Sequence, residues 1–154
     1  MPRKVPPMFD QSGNLAQPFD HARLLDVLAR ADAVRLAVLA EDVLPALGPV
    51  EVVQSRTGLV MLPMRDTVQG TDFHLGEVLV AEAHIRTSST EGYGMVVGRD
   101  LDRAMAMAVV DAAASLGQTP EIIAFLRRES NAQVAADLAR LREVESTRVD
   151  METF

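Results

Sequence analysis

Leu79-Val80-Ala81-Glu82-Ala83-His84-Ile85-Arg86 decides the fold class. Its odd positions are Leu79, Ala81, Ala83 and Ile85; its even positions after Val80 are Glu82, His84 and Arg86. Strict alternation puts one apolar face on a core and one charged face outward, the signature of an antiparallel strand in a half-covered sheet. The strand is expected from roughly Gly76 to Thr87.

Working upstream, Val50-Glu51-Val52-Val53-Gln54-Ser55-Arg56 and Leu59-Val60-Met61-Leu62-Pro63-Met64-Arg65 also read as strands. Thr57-Gly58 between them reads as a hairpin turn. Pro63 suits an edge or a strand end, because it cannot donate to a ladder. Asp66-Thr67-Val68-Gln69-Gly70-Thr71 reads as a loop. Downstream, Ser88-Ser89-Thr90-Glu91-Gly92 turns the chain into a fourth strand, Tyr93 to Val97.

Helices flank the strands. Asp20 and Asp32 read as N-caps, the first before Leu24, Leu25, Leu28 and Ala31, the second before Val34, Val38, Leu39 and Val43, all placed inward. Pro45, Gly48 and Pro49 end that region. After Gly98-Arg99-Asp100, a helix carries Leu101, Ala104, Met105, Ala108, Val109, Ala112 and Leu116 on one stripe. Ala106, Met107, Val110 and Ala114 make its other side apolar too. A helix apolar nearly all round is covered on two sides, so one side is expected to be a subunit interface. Gly117 stops it, and Thr119-Pro120-Glu121 starts another with a cap and a proline at the first position. Ile122, Ile123, Phe125 and Leu126 anchor that helix. Arg127 to Gln133 interrupts its stripe, which resumes at Val134, Leu138, Leu141 and Val144. The expected class is α+β: a four-stranded antiparallel sheet with N-terminal helices and two C-terminal helices packed on it. Residues 19–150 are expected to form a single domain. Residues 1–18, with Pro2, Pro6, Pro7, Gly13 and Pro18, are expected to be a flexible leader, and 151–154 a short tail.

The chain has 154 residues, 48% hydrophobic and 24% charged, with a net charge of −7 and no cysteine. This is globular composition without disulfides, thiolate-bound zinc, an iron–sulfur cluster or a thiol nucleophile. It fits a cytoplasmic address. An acidic balance lacks the basic field that dominates nucleic-acid binding. No apolar run is long enough for a membrane span, and no apolar stretch follows Arg3 and Lys4 as in a secretory signal. Lys4 is the one lysine, so a P-loop has no lysine in place, and neither G-x-x-x-x-G-K-[ST], G-x-G-x-x-G nor G-x-S-x-G occurs.

Tyr93-Gly94-Met95-Val96-Val97-Gly98-Arg99-Asp100 is the sharpest local feature. Gly98 and a helix N-terminus favour an anion, and Arg99 could clamp a phosphate or phosphonate. The plainer reading makes Gly98 a turn and Asp100 an N-cap that already occupies the positive helix end, with Arg99 paired to Asp102 or solvent. Glu82 and His84 share a strand face and could form an acid–base pair or hold a metal, but two groups do not close a site. The plainer reading is a solvated or interface face with Arg86. Met61, Met64, Met95, Met105 and Met107 read as core filler. No catalytic residue, metal site or cofactor follows from these patterns. A subunit fits better than a standalone enzyme.

Four blocks in order resemble one family. Phe73-His74-Leu75-Gly76-Glu77-Val78-Leu79-Val80-Ala81-Glu82 resembles the central strand motif of the PhnG family, the small subunit of the bacterial carbon–phosphorus lyase machinery. Gly92 to Asp100, followed by Ala108-Val109-Val110-Asp111-Ala112, resembles its next block. Thr57-Gly58-Leu59-Val60 resembles its first hairpin, and Glu143-Val144-Glu145-Ser146-Thr147-Arg148-Val149-Asp150 its C-terminal motif. The likeness runs from about residue 20 to 150. The Pro-rich leader and the ending Met151-Glu152-Thr153-Phe154 depart from the family pattern.

The resemblance implies phosphonate catabolism. Such machinery joins an alkylphosphonate to ATP at ribose C1 with release of adenine, giving ribose 1-alkylphosphonate 5-triphosphate. A radical S-adenosylmethionine subunit later breaks the carbon–phosphorus bond. The implied partners are PhnH-, PhnI- and PhnJ-like subunits, assisted by a PhnL-like ATPase, with the nucleosidase-like step on the PhnI-like partner. This chain would be a structural or accessory subunit, inactive alone. Carried over by position, Thr57, Gly58, Gly76, Gly98, Arg99, Asp100, Arg148 and Asp150 are the residues that matter; Arg99, Asp100, Arg148, Asp150, Thr57, Gly58 and Gly98 are the partner- or anion-binding candidates, with structural roles for the glycines and Asp100. Arg99, Arg148 and Asp150 suit inter-subunit salt links. The competing reading is an independent phosphate- or nucleotide-binding homodimer that uses Arg99 and Arg148 as clamps.

Overall fold

A computed structural model describes residues 19–148. The order is α1 (His21–Ala29), α2 (Ala33–Val43), a 3-10 turn (Leu44–Leu47), β1 (Glu51–Arg65), β2 (Asp72–Arg86), β3 (Glu91–Val97), α3 (Leu101–Leu116) and α4 (Pro120–Ser146). All four α-helices start on side-chain caps: Asp20, Asp32, Asp100 and Thr119 each accept from the backbone N–H three residues on. Each cap satisfies one of the orphan donors of a first turn. α1 and α2 are two helices, parted at Arg30–Asp32.

The sheet has three antiparallel strands in the order β1-β2-β3, not four. Thr57-Gly58 is not a turn. It lies in the middle of β1, with Thr57 opposite Ala81 and Gly58 opposite Val80. Gly58 is absent from the glycines at positive φ, so it supplies none of the left-handed backbone a tight hairpin needs. The reversal falls instead on the loop after Arg65. There Asp66 accepts from the N–H groups of Val68 and Gln69, and Gly70 sits at φ 69°. That is Asx-turn chemistry, which out-competes Thr-Gly. β2 consequently begins at Asp72, four residues before the expected start.

Pro63 lies on edge strand β1 beside a register shift at Leu62/Pro63. The Asp66 N–H donates to Thr71 O at 2.9 Å. Alternation along the ladder therefore leaves the Pro63–His74 pair without mutual bonds and turns the proline nitrogen outward, so no ladder bond is lost.

The core lies where the sheet meets α3. Ala81, Ala83, Ile85 and Val96 face it, and Ala104, Ala108 and Ala112 approach β3 along one helix stripe. A Cβ on Gly94 would sit 1.9 Å from Ala104 O, and one on Gly92 would sit 2.1 Å from Ala108 O. The Gly-x-Gly of β3 is therefore a packing device that lets helix backbone approach sheet backbone.

The second apolar side of α3 is covered by its own chain, with α2, the 3-10 turn and α1 packed on it. Ala104 and the whole run Ala106–Ala114 are buried. The expected subunit interface on this helix is thus absent, because the N-terminal helices fill that place. α2 buries Leu36, Leu39 and Ala40, whereas Val34 and Val38 are exposed. Of the two C-terminal helices, α3 lies on the sheet, while α4 packs on α1, with bonds from Arg23 to Ser130 and from Arg30, just past α1, to Asp137. Met107 is core; Met61, Met64 and Met95 are exposed.

Candidate partner-docking surface

β3 pairs with β2 only from Val80 to Arg86. Beyond that, β1 and β2 run on as a two-stranded arm, Val60–Arg65 against Asp72–Val78, roughly 20 Å long at strand rise. Val60, Met61, Leu62, Met64, Phe73 and Leu75 are exposed on it. A two-stranded ribbon with apolar side chains on both faces is marginal in water and gains from a cover. A second uncovered apolar stripe runs along the far half of α4, at Val134, Leu138, Leu141 and Val144.

The sheet face away from α3 carries cross-strand pairs. Glu82 accepts from both Gln54 and Arg56. The Arg56 guanidinium holds the Glu82 carboxyl below the usual glutamate range. His84 Nε2 meets Glu91 Oε2 at 2.9 Å, and Arg86 Nε donates to Glu91 Oε1 at 2.9 Å. The Arg86 hydrogen bond, then that of His84, lowers the Glu91 pKa. His84 also stacks on Tyr93, with ring centroids 4.1 Å apart. Glu82 and His84 therefore turn to different partners. Among the described residues no cluster of three or more His, Asp or Glu is placed to hold a metal ion.

Between this face, the outer edge of β3 and α1 lies a cavity of about 910 Å³. Leu25, Ala29, Val60, Val80, Met95 and Met107 give it apolar walls. Arg103, also on its lining, donates from Nη2 to Ala29 O (3.0 Å) and Ala31 O (2.7 Å), capping the end of α1.

Two buried carboxylates join the layers, and neither was singled out in the sequence. Asp111, 2% exposed, accepts from Tyr93 N–H at 2.9 Å and meets His21 Nε2 at 2.8 Å. Glu129, also 2% exposed, accepts from Arg35 Nε at 2.7 Å and from Asp32 N–H at 3.0 Å. The Arg35 bond lowers the Glu129 pKa against its burial. Their sequence signals were an acid inside an apolar helix stripe and the polar break at 127–133.

The predicted candidates fall in separate places. Gly98, at φ 105°, closes the ladder by donating to Leu79 O at 2.9 Å. Asp100 accepts from Arg103 N–H, so its carboxylate occupies the start of α3. Arg99 is exposed and makes no ion pair among the described residues, Asp102 included. Thr57 and Gly58 are strand positions, and Gly58, Val80 and Val97 form one row across the sheet. Gly76 pairs with Leu62 in the arm. Arg148 bonds Glu145 at 3.3 Å beyond the end of α4. Asp150, the leader 1–18 and the tail 151–154 lie outside the described residues. Arg99 thus stands just before α3, and Arg148 just past α4. Among the described residues no helix is long and apolar enough to cross a membrane.

The sequence model of a family described as phosphonate metabolism protein PhnG matches residues 20–154. The α-D-ribose 1-methylphosphonate 5-triphosphate synthase subunit PhnG of Rhizobium meliloti (strain 1021) is 34% identical over 132 residues, which covers 83% of each chain.

Proposed function

The chain belongs to the PhnG family, and from that premise we propose that it works as a subunit of α-D-ribose 1-methylphosphonate 5-triphosphate synthase. The observation that carries this reading is the 34% identity to a subunit so named, over 83% of both chains. The reaction would join an alkylphosphonate to ATP at ribose C1 and release adenine. This chain would contribute surface rather than reacting groups: its sheet-face acids, Glu82 and Glu91, are each taken up by cationic or amide partners from the same sheet. An exposed apolar arm suits a piece of a larger assembly.

The partners would be PhnH-, PhnI- and PhnJ-like subunits, assisted by a PhnL-like ATPase, in the cytoplasm. Residues 19–150 would act as the docking unit, with 1–18 as leader and 151–154 as tail. Arg99, Arg148 and Asp150 would supply salt links to those partners, and Gly98 and Asp100 would fix the backbone beside Arg99. Thr57, Gly58 and Gly76 would serve as strand backbone leading into and along the arm.

Reconstitution tests the reading. The purified chain should release no adenine from ATP plus methylphosphonate, and the mixture with the other subunits should. Turnover by the chain alone, or full turnover by the mixture without it, would overturn the proposal. Leu62→Asp with Val60→Asp should leave the thermal midpoint of the free chain nearly unchanged and weaken assembly tenfold or more, at about 1.4 kcal/mol per factor of ten.

A further inference from the structure

The outer edge of β3 has an unusual division. The Gly98 N–H donates to Leu79 O at 2.9 Å and the Thr87 N–H to Thr90 O at 2.8 Å. These bonds bracket the β2–β3 ladder and set its alternation. Gly92, Gly94 and Val96 therefore bond to β2, while the N–H and C=O groups of Tyr93, Met95 and Val97 point away from it. Tyr93 is taken: its N–H donates to the buried Asp111 carboxylate. Met95 and Val97 have no backbone partner on that side among the described residues. The cavity beside them is walled by Leu25, Ala29 and Met107. Arg99, an exposed cation with no ion pair among the described residues, follows Gly98 at the Val97 end.

We propose that the Met95–Val97 edge of β3 accepts an extended segment of a partner subunit as a fourth strand, with a carboxylate of that segment beside Arg99. This rests on the reading of the chain as a synthase subunit. Strand addition satisfies the free backbone groups of an edge, and pockets beside the edge receive alternate side chains. Asp111 ends the site at Tyr93, so the added strand is short. The apolar walls take its inward side chains. Arg99 selects an acidic residue at one end, since a carboxylate beside it gains a charge-assisted bond that a second cation would oppose.

Amide hydrogen exchange on the full chain tests this, first free and then in the complex with the other synthase subunits. In the free chain the Met95 and Val97 amides should exchange fast beside slow Gly94 and Val96. In the complex they should slow at least about a hundredfold. Met95→Pro removes an outward N–H and no ladder bond, so it should block assembly while Met95→Ala allows it. Arg99→Glu should weaken assembly about tenfold, more at low salt. A chain that never joins the other subunits overturns the subunit reading itself. A chain that joins them with Met95 and Val97 still exchanging fast overturns the strand-addition proposal alone, whether or not Met95→Pro folds. Protection already present in the free chain also overturns it. Concentration-dependent protection would place a second copy on the edge, and concentration-independent protection a segment of the same chain.

Discussion

One end of the sheet is clamped and the other stands free, although the same two strands run through both. From Val80 to Arg86, β2 lies between β1 and β3 with α3 across one face, and Ala81, Ala83 and Ile85 are buried. From Asp72 to Val78, the same strand has a single neighbour, and Phe73 and Leu75 face solvent. The composition hardly changes along the strand; what changes is whether a third strand and a helix are present. Apolar content therefore does not locate an interface in this chain. Cover does. The oiliest helix, α3, is sealed by its own fold, while apolar side chains stand exposed on the arm, along the far half of α4, on α2 at Val34 and Val38, and on β3 at Val97.

The contrast can be broken by substitution. The largest effect is expected at Gly94→Val. Its Cβ would meet Ala104 O at 1.9 Å, so helix and sheet must part, and chemical denaturation should show a loss of at least about 3 kcal/mol. Next is Asp111→Ala, which leaves the Tyr93 N–H and His21 without their carboxylate. A loss of about 2–3 kcal/mol is expected, since the stranded donor lies inside the covered half.

A smaller effect concerns acid. The pKa values of Glu129, Glu91 and Glu82 are lowered in the folded chain, chiefly by bonds to Arg35, Arg86 and Arg56. Their stabilisation is present above the ordinary glutamate value near 4.5 and is lost as pH falls through their lowered folded values. Melting curves from pH 6 to 3 should show this decline, with a shallower slope in Glu129→Gln. The smallest effects are expected at Gly58→Ala and Gly76→Ala, where nothing lies within 4 Å of an added Cβ. Changes within about 0.5 kcal/mol should be measured. A loss at Gly76 as large as at Gly94 would mean that the arm is packed after all, and the contrast would fail.

The sequence displayed the caps well: Asp20, Asp32, Asp100 and Thr119 all act through short local bonds, which neighbouring residues specify. It misled wherever the deciding partner was distant. Thr57-Gly58 looked like a turn because the pairing to Ala81 and Val80 is not local. The two apolar sides of α3 looked like an interface because α1 and α2, more than fifty residues upstream, supply the cover. The inward set assigned to α2 was displaced for the same reason: Arg35 turns to Glu129, which rotates Val34 and Val38 outward and Leu36 inward. Of the candidate site, the residue types at 98–100 were legible, and so were the plain roles of Gly98 and Asp100. The free backbone groups of Met95 and Val97 were not, since they depend on ladder parity and on a carboxylate from another element.

Pro63 has a consequence for the free chain. Its nitrogen faces outward on β1, where a valine would offer a hydrogen to any passing chain. The arm thus keeps greasy side chains on offer while interrupting the template along which copies could stack into fibrils. Pro63→Val would restore that hydrogen, and it should shorten the lag before turbidity without disturbing the folded spectrum.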